Sequence, residues 1–191
     1  MGKTVGVVPV NSLSLAKTRL AGVVPDRSAL VLEMLARVLE ALSKDLCGLW
    51  VVSPDPALEG PARAGGAGFL LQRGTGLNPA LEQARTSLEA DALLVALADL
   101  PLLARDQVKA LLELGREAPV VLAPDRHGRG TNLMLLRPPG SLDFHFGPDS
   151  LARHRSLARA RGLEVREFRS LGTERDVDRP EDLEWLWTRS A

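Results

Sequence analysis

The chain has 191 residues, enough for one domain with a sizeable core, and its 24 basic and 24 acidic side chains cancel at pH 7. That balance argues against a protein that coats nucleic acid or lies on an anionic membrane, and the apolar runs fall well short of the ~20 residues that cross a bilayer. One cysteine excludes an internal disulfide or a cysteine zinc cluster, and the three histidines lack metal-ligand spacing, so the expectation is a cytoplasmic protein acting on a small ligand, with no nucleic-acid or membrane partner.

Val5-Gly6-Val7-Val8-Pro9-Val10 reads as a first, central strand closed by a proline that cannot donate to a ladder. The polar and cationic stretch Asn11 to Leu20 is longer than a βα turn requires, which suggests a task for Lys17 and Arg19. From Ser28 to Leu42 the apolar positions follow helical spacing behind a Pro25-Asp26 start signal. Leu49–Val52 and Gly68–Leu71 read as buried strands joined through a Gly- and Ala-rich connection over Gly60 to Gly68. Cys47 is expected to be a buried or helix-end thiol. Gly74-Thr75-Gly76 then opens a helix running to about Leu88, where backbone N–H groups favour an anion.

The run Leu93-Leu94-Val95-Ala96-Leu97-Ala98 has the character of a strand buried on both faces. Asp99 and Pro101 follow directly, which puts a carboxylate at the strand edge where open α/β sheets hold ligands. The competing reading makes Asp99 a cap for the helix beginning near Ala104, although Asp106 is nearer. Beyond a helix over Arg105 to Leu114 come two buried strands, Val120–Ala123 and Leu133–Leu136. They are joined by a polar glycine-rich loop over Pro124 to Asn132 and so form a hairpin. A helix from about Leu151 to Arg161 has Arg153, His154 and Arg155 as positive charges near its start. Glu164–Phe168 alternates like an edge strand, and Asp176-Val177-Asp178 leads into a closing helix with Leu183, Trp185 and Leu186. The pattern implies one domain over residues 1–191: an α/β/α three-layer sandwich around a mostly parallel sheet with one antiparallel excursion.

Asp176 and Asp178, two residues apart on an extended segment, project to one side, so with Asp99 they can hold a hard divalent cation. Magnesium suits a few carboxylates plus phosphate oxygens, which makes a Mg–nucleotide site the sharpest reading; the plainer one has Asp178 capping the last helix. Lys17 and Arg19 can face a phosphate chain, and Thr131 and Asn132 a second anionic substrate.

Taken together, Val8-Pro9-Val10 with Ala16-Lys17-Thr18-Arg19-Leu20, Gly76-Leu77-Asn78, Ala98-Asp99-Leu100-Pro101-Leu102, Gly130-Thr131-Asn132, Phe146-Gly147 with Ser150, Arg153-His154 and Asp176-Val177-Asp178 resemble the 2-phospho-L-lactate guanylyltransferase family. That family includes bacterial phosphoenolpyruvate guanylyltransferases, and one departure is Asn11, where its members commonly carry Lys. The resemblance implies a nucleotide-diphospho-sugar-transferase-like fold and transfer of GMP from GTP to a three-carbon phospho-acid in making coenzyme F(420). It further implies that Asp99, Asp176 and Asp178 hold Mg2+, that Thr131, Gly147 and Ser150, with Asn132 beside them, receive the acceptor, and that Val8, Pro9, Lys17, Gly76 and Asn78 meet the nucleotide. Asp99, Lys17 and Arg19 would be the groups nearest the chemistry. A homodimer stays open. Two other readings are a sugar-phosphate or molybdopterin nucleotidyltransferase, disfavoured by the missing Gly-x-Gly-x-Arg after the first strand, and a non-catalytic GTP-binding protein, which need not keep all three aspartates.

Overall fold

The structure, a computed structural model, describes residues 2–15, 17–20 and 22–190. Its strands are β1 (Thr4–Pro9), β2 (Gly48–Ser53), β3 (Gly68–Leu71), β4 (Ala92–Ala96), β5 (Val120–Pro124), β6 (Thr131–Leu136) and β7 (Val165–Glu167). Its helices are α1 (Arg27–Leu42), α2 (Glu59–Ala64), α3 (Leu77–Ser87), α4 (Arg105–Leu114), α5 (Ser150–Ala160), α6 (Leu171–Glu174) and α7 (Pro180–Ser190). All seven strands fall in one sheet of order β3-β2-β1-β4-β6-β5-β7.

Strict alternation splits the central strands between two cores. In β4, Leu94 and Ala96 face one layer while Leu93 and Val95 face the other, and each is buried, as the unbroken apolar run requires. α1, α2, α4 and α7 cover the first face and α3 and α5 the second, which makes the expected three layers. β1, β2, β3 and β4 run parallel; β6 is antiparallel to both β4 and β5, with Leu135 opposite Leu94 on one side and Val121 on the other. β7 pairs with β5 at the edge, though it is only three residues long.

The reversal of β6 matters for function. The chain leaves β1 and β4 but enters β6 at the same rim of the sheet, so Thr131 and Asn132 stand beside the residues that follow β4, and Leu97 N–H donates to Asn132 O at 3.0 Å.

Several elements differ from expectation for local reasons. Between β2 and β3 the chain forms a 3-10 turn over Pro56–Leu58, capped by the Asp55 carboxylate accepting from Ala57 N–H, and then α2, which extends into the Gly- and Ala-rich connection and is supported by the Arg63–Glu59 pair one turn apart. Ser170 caps α6, a turn too short for periodicity to reveal. Cys47 is exposed, at the entry to β2. Asp99 does not cap α4, whose N-cap position is Ala104.

Candidate active site

The loop after β1 is tied down from below. Asp55 accepts from Leu13 N–H at 3.0 Å, Ala57 N–H at 3.0 Å and Ser12 Oγ at 3.1 Å, and these donors, the Leu13 N–H foremost, hold its carboxyl below the ordinary carboxylate range. Lys17 sits in the left-handed region (φ 50°), uncommon for a non-glycine residue, and its ammonium bridges two carboxylates. Nζ donates to Asp99 Oδ2 at 2.5 Å and to Asp178 Oδ1 at 2.7 Å, with Lys17 and Asp99 side chains 12% and 20% exposed. Burial works against the Lys17 charge, but the attraction of Asp99 and then Asp178 outweighs it and holds the ammonium above its ordinary pKa.

The Asp176–Asp178 segment reaches this point because its backbone is clamped on both sides. Val177 N–H donates to Asp99 O at 3.0 Å, and Asp182 accepts from the N–H groups of Asp178 (3.0 Å) and Arg179 (2.8 Å). Asp182 is held in turn by Arg126 at 2.5 Å, and the Arg175 guanidinium lies 4.1 Å from the centre of the Trp185 ring. Asp182, in the first turn of α7, thus reaches back to hold the N–H groups just before the helix, and the Asp178 carboxylate pairs with Lys17. Gly172, in α6 just upstream, packs so closely that a Cβ there would fall on the Leu102 carbonyl and the Gln107 side chain.

Negative charge is in excess here. Burial, reinforced by the charge of Asp99, pushes Asp176 up to about 6, although Asn132 Nδ2 donates to its Oδ1 at 3.3 Å. Asp99 Oδ1 is buried and has no hydrogen-bond partner among the described residues. Among the described residues no three His, Cys, Asp or Glu side chains are arranged around a common metal position, because the Lys17 ammonium lies between Asp99 and Asp178. In donor chemistry the set fits a hard cation: carboxylate oxygens alone, one of them unpartnered among the described residues, with the charges of Asp99 and Asp178 adding to the proton affinity of Asp176.

Beside the cluster opens a largely apolar cavity of about 610 Å³, a size that takes a nucleotide. Pro9, Val10, Asn11, Val31, Met34 and Val52 line one part of it, Gln72 with Gly74 to Leu77 and Ala80 another, and Lys17 and Asp99 stand at its wall. Gly76 has φ 98°, a conformation that favours glycine, and opens α3.

A second group gathers where β6 begins. Thr131 N–H donates to Ser150 Oγ at 2.9 Å, Ser150 N–H donates to Gly147 O at 3.1 Å, and Asn132 Nδ2 donates to Thr173 O at 3.0 Å. Thr131 and Ser150 are 2% and 1% exposed, and Gly147 (φ 122°) lies at the surface above them. Asn78 reads the Phe146 backbone both ways, donating to its O at 3.1 Å and accepting from its N–H at 2.8 Å, and so fixes the peptide that leads into Gly147.

The family model described as guanylyl transferase CofC like matches residues 4–189. The chain belongs to that family. A phosphoenolpyruvate guanylyltransferase of Sphaerobacter thermophilus is 46% identical over 96% of this chain and 92% of its own length. A 2-phospho-L-lactate guanylyltransferase of Methanothermobacter thermautotrophicus is 36% identical over 95% and 82%. In fold, the crystal structure of a nucleotide-diphospho-sugar transferase from Desulfovibrio desulfuricans G20 superposes with a TM-score of 0.82, at 21% identity, covering 100% of this chain and 88% of that one.

Within this member of the guanylyl transferase family the structure brings Lys17, Asp99, Asp176 and Asp178 together and, separately, Thr131, Gly147 and Ser150; Pro9 and Gly76 line the cavity. Three residues expected near the nucleotide stand elsewhere. The side chain of Val8 is fully buried in the core because strand alternation turns it inward. Arg19 is exposed in the 3-10 turn Thr18–Leu20 and does not line the cavity. The amide of Asn78 is engaged by Phe146. Ala16 of the Lys17 motif lies outside the described residues. His154, read as a positive charge near the start of α5, is 0% exposed, and burial followed by the nearby charge of His145 pulls its pKa down to about 4, so it is neutral near pH 7. Asp55 and Asp182 escaped sequence reading altogether, since a carboxylate that anchors another loop carries no local pattern.

Proposed function

We propose that this chain moves the guanylyl group of GTP onto the phosphate of a three-carbon phospho-acid, phosphoenolpyruvate or 2-phospho-L-lactate, with release of pyrophosphate, as a step toward coenzyme F(420). One observation carries the reading: a buried ammonium held by Asp99 and Asp178 at the wall of a nucleotide-sized apolar cavity. The names of the relatives supply the two acids and the guanylyl group.

The chemistry needs alignment and charge more than proton transfer. An ionised phosphate oxygen of the acceptor attacks the α-phosphorus, and the new P–O bond forms as the bond to the α,β-bridging oxygen breaks and pyrophosphate leaves. No proton has to be removed, which agrees with a site whose histidine is buried and neutral. Lys17 would turn its charge toward the triphosphate, with Pro9, Val10 and the Gly74–Gly76 turn bounding the nucleoside. Thr131, Gly147 and Ser150 would receive the carboxylate and phosphate of the acceptor. Asp99, Asp176 and Asp178 would hold magnesium, which when bound neutralises charge on the triphosphate and leaving group. GTP is a cytoplasmic nucleotide, and we place the reaction there.

The test is incubation with GTP or ATP, with and without magnesium, and with phosphoenolpyruvate, 2-phospho-L-lactate or 3-phosphoglycerate, read by pyrophosphate release and product mass. A guanylylated phospho-acid made only with GTP and magnesium is expected. Equal use of ATP, or pyrophosphate release that ignores the acid, would sink the assignment.

A further inference from the structure

Among the described residues His154 is the most deeply buried ionisable side chain outside the aspartate cluster, and nothing in the transfer chemistry calls for it. Its surroundings determine its state. His145 N–H, which can only donate, lies 3.0 Å from Nε2, so Nε2 carries the lone pair. The ring is neutral near pH 7, so the single proton belongs on Nδ1. Nδ1 is 3.0 Å from Thr131 Oγ1, and in this tautomer it donates, leaving Thr131 to accept. Among the described residues Thr131 Oγ1 has no other polar partner, so its own hydrogen is not taken up within the protein. The neighbouring Ser150 hydroxyl is in the same position, since Oγ accepts from Thr131 N–H and has no other partner among the described residues. Two adjacent hydroxyls are thus both supplied with a donor from inside, one by a ring and one by the backbone, and both have a hydrogen left to give.

We infer that His154 is a positioning residue for the acceptor: by donating from Nδ1 to Thr131 Oγ1 it makes the Thr131 hydroxyl a hydrogen-bond donor to the anionic group of the phospho-acid. An anion takes only donors. A threonine hydroxyl left to itself can donate into any nearby carbonyl, whereas one already accepting from a fixed ring keeps its hydrogen for the ligand. The ring is itself fixed, by the His145 N–H and by an edge-on contact with Phe146 at 5.2 Å between ring centres. Phe146 is the residue that Asn78 grips, so the ring and the Gly147 turn are held as one unit.

This inference rests on the proposed placement of the acceptor at Thr131, and the experiment separates the two. Acceptor KM, GTP affinity by calorimetry and melting temperature are measured for Thr131→Val, His154→Phe and the double variant. Phenylalanine keeps the ring and its contact with Phe146 but has neither nitrogen. Each single change is expected to raise acceptor KM by about tenfold, as for one charge-assisted hydrogen bond, with GTP affinity within about twofold. In the Thr131→Val background, His154→Phe should then add less than about twofold, because the hydroxyl it acts through is gone. An equal factor in both backgrounds would mean that His154 merely supports the loop and would overturn the inference. So would an unchanged KM in His154→Phe alone. An unchanged KM in Thr131→Val would remove the acceptor placement itself and the inference with it.

Long-range proton–nitrogen spectra of the wild-type protein labelled in its histidine rings provide a readout that needs no variant to fold. A ring protonated on Nδ1 and bare on Nε2, assigned to His154, is expected. The opposite tautomer would overturn the inference.

Discussion

Asp99→Asn separates charge from shape at the centre of the site. Asparagine is nearly isosteric and its oxygen can still accept from Lys17 Nζ, now 2.5 Å from Asp99 Oδ2, so the change removes one negative charge and little packing. Lys17 keeps Asp178 at 2.7 Å, so no buried cation is orphaned. The loss of stability should be about 1–2 kcal/mol, below the ~3–5 kcal/mol of a fully broken buried pair. Relief at Asp176, whose proton affinity Asp99 helps to raise, trims it further. At about 2–4 °C per kcal/mol for a chain of this size, the melting temperature should fall by no more than about 8 °C. Turnover should fall far more, by roughly 100- to 1,000-fold or about 2.7–4 kcal/mol of transition-state stabilisation, because the carboxylate that would hold a cation against the triphosphate loses its charge. Scanning calorimetry and pyrophosphate release on one preparation give both numbers. Normal turnover, or a melting drop above about 10 °C with activity falling in step, would refute this account of Asp99.

Gly147→Val meets no neighbour, since a Cβ there finds open space, but φ 122° is hostile to a branched side chain. It should raise acceptor KM sharply while GTP affinity stays within a few-fold; parallel loss of both would make Gly147 a backbone device only. Gly172→Ala drives a methyl into the Leu102 carbonyl and should lower the melting temperature by several degrees and displace Asp176 and Asp178 together; an unperturbed melt would show that α6 can shift freely. In the pH dependence of stability, His154 and Asp176 act in opposite directions. His154, about 4 when folded against 6.5 unfolded, contributes stability that is full above pH 6.5 and is lost as the pH falls toward 4, at most about 3 kcal/mol. Asp176, about 6 when folded against 3.8, binds its proton first in the folded state, so it contributes stability below pH 3.8 that is lost as the pH rises through 6. Urea midpoints between pH 4 and 7 should therefore fall more steeply on acidification for Asp176→Asn than for the wild-type chain, and equal slopes would contradict the assignment.

Where residues act through their own local pattern, the sequence by itself determined the answer. The apolar run ending in Asp99 reads as a strand buried on both faces with its carboxylate at the rim, against a helix-cap alternative, and the helix observed over Arg27–Leu42 follows from the apolar spacing over Ser28 to Leu42 behind Pro25-Asp26. The paired aspartates at 176 and 178 were legible as a unit for the same reason. Only the tertiary structure decided which of these groups meet. The antiparallel insertion of β6 is what carries Thr131 and Asn132 to the rim that holds Asp99, and pairing partners many residues apart leave no mark on local periodicity. Tertiary contacts likewise engage the Asn78 amide, expected near the nucleotide, with the Phe146 backbone, and they make His154, read as a positive charge near a helix start, a neutral buried ring. A side chain's role depends on its desolvation and on donors brought from distant segments, and neither exists until the chain has folded.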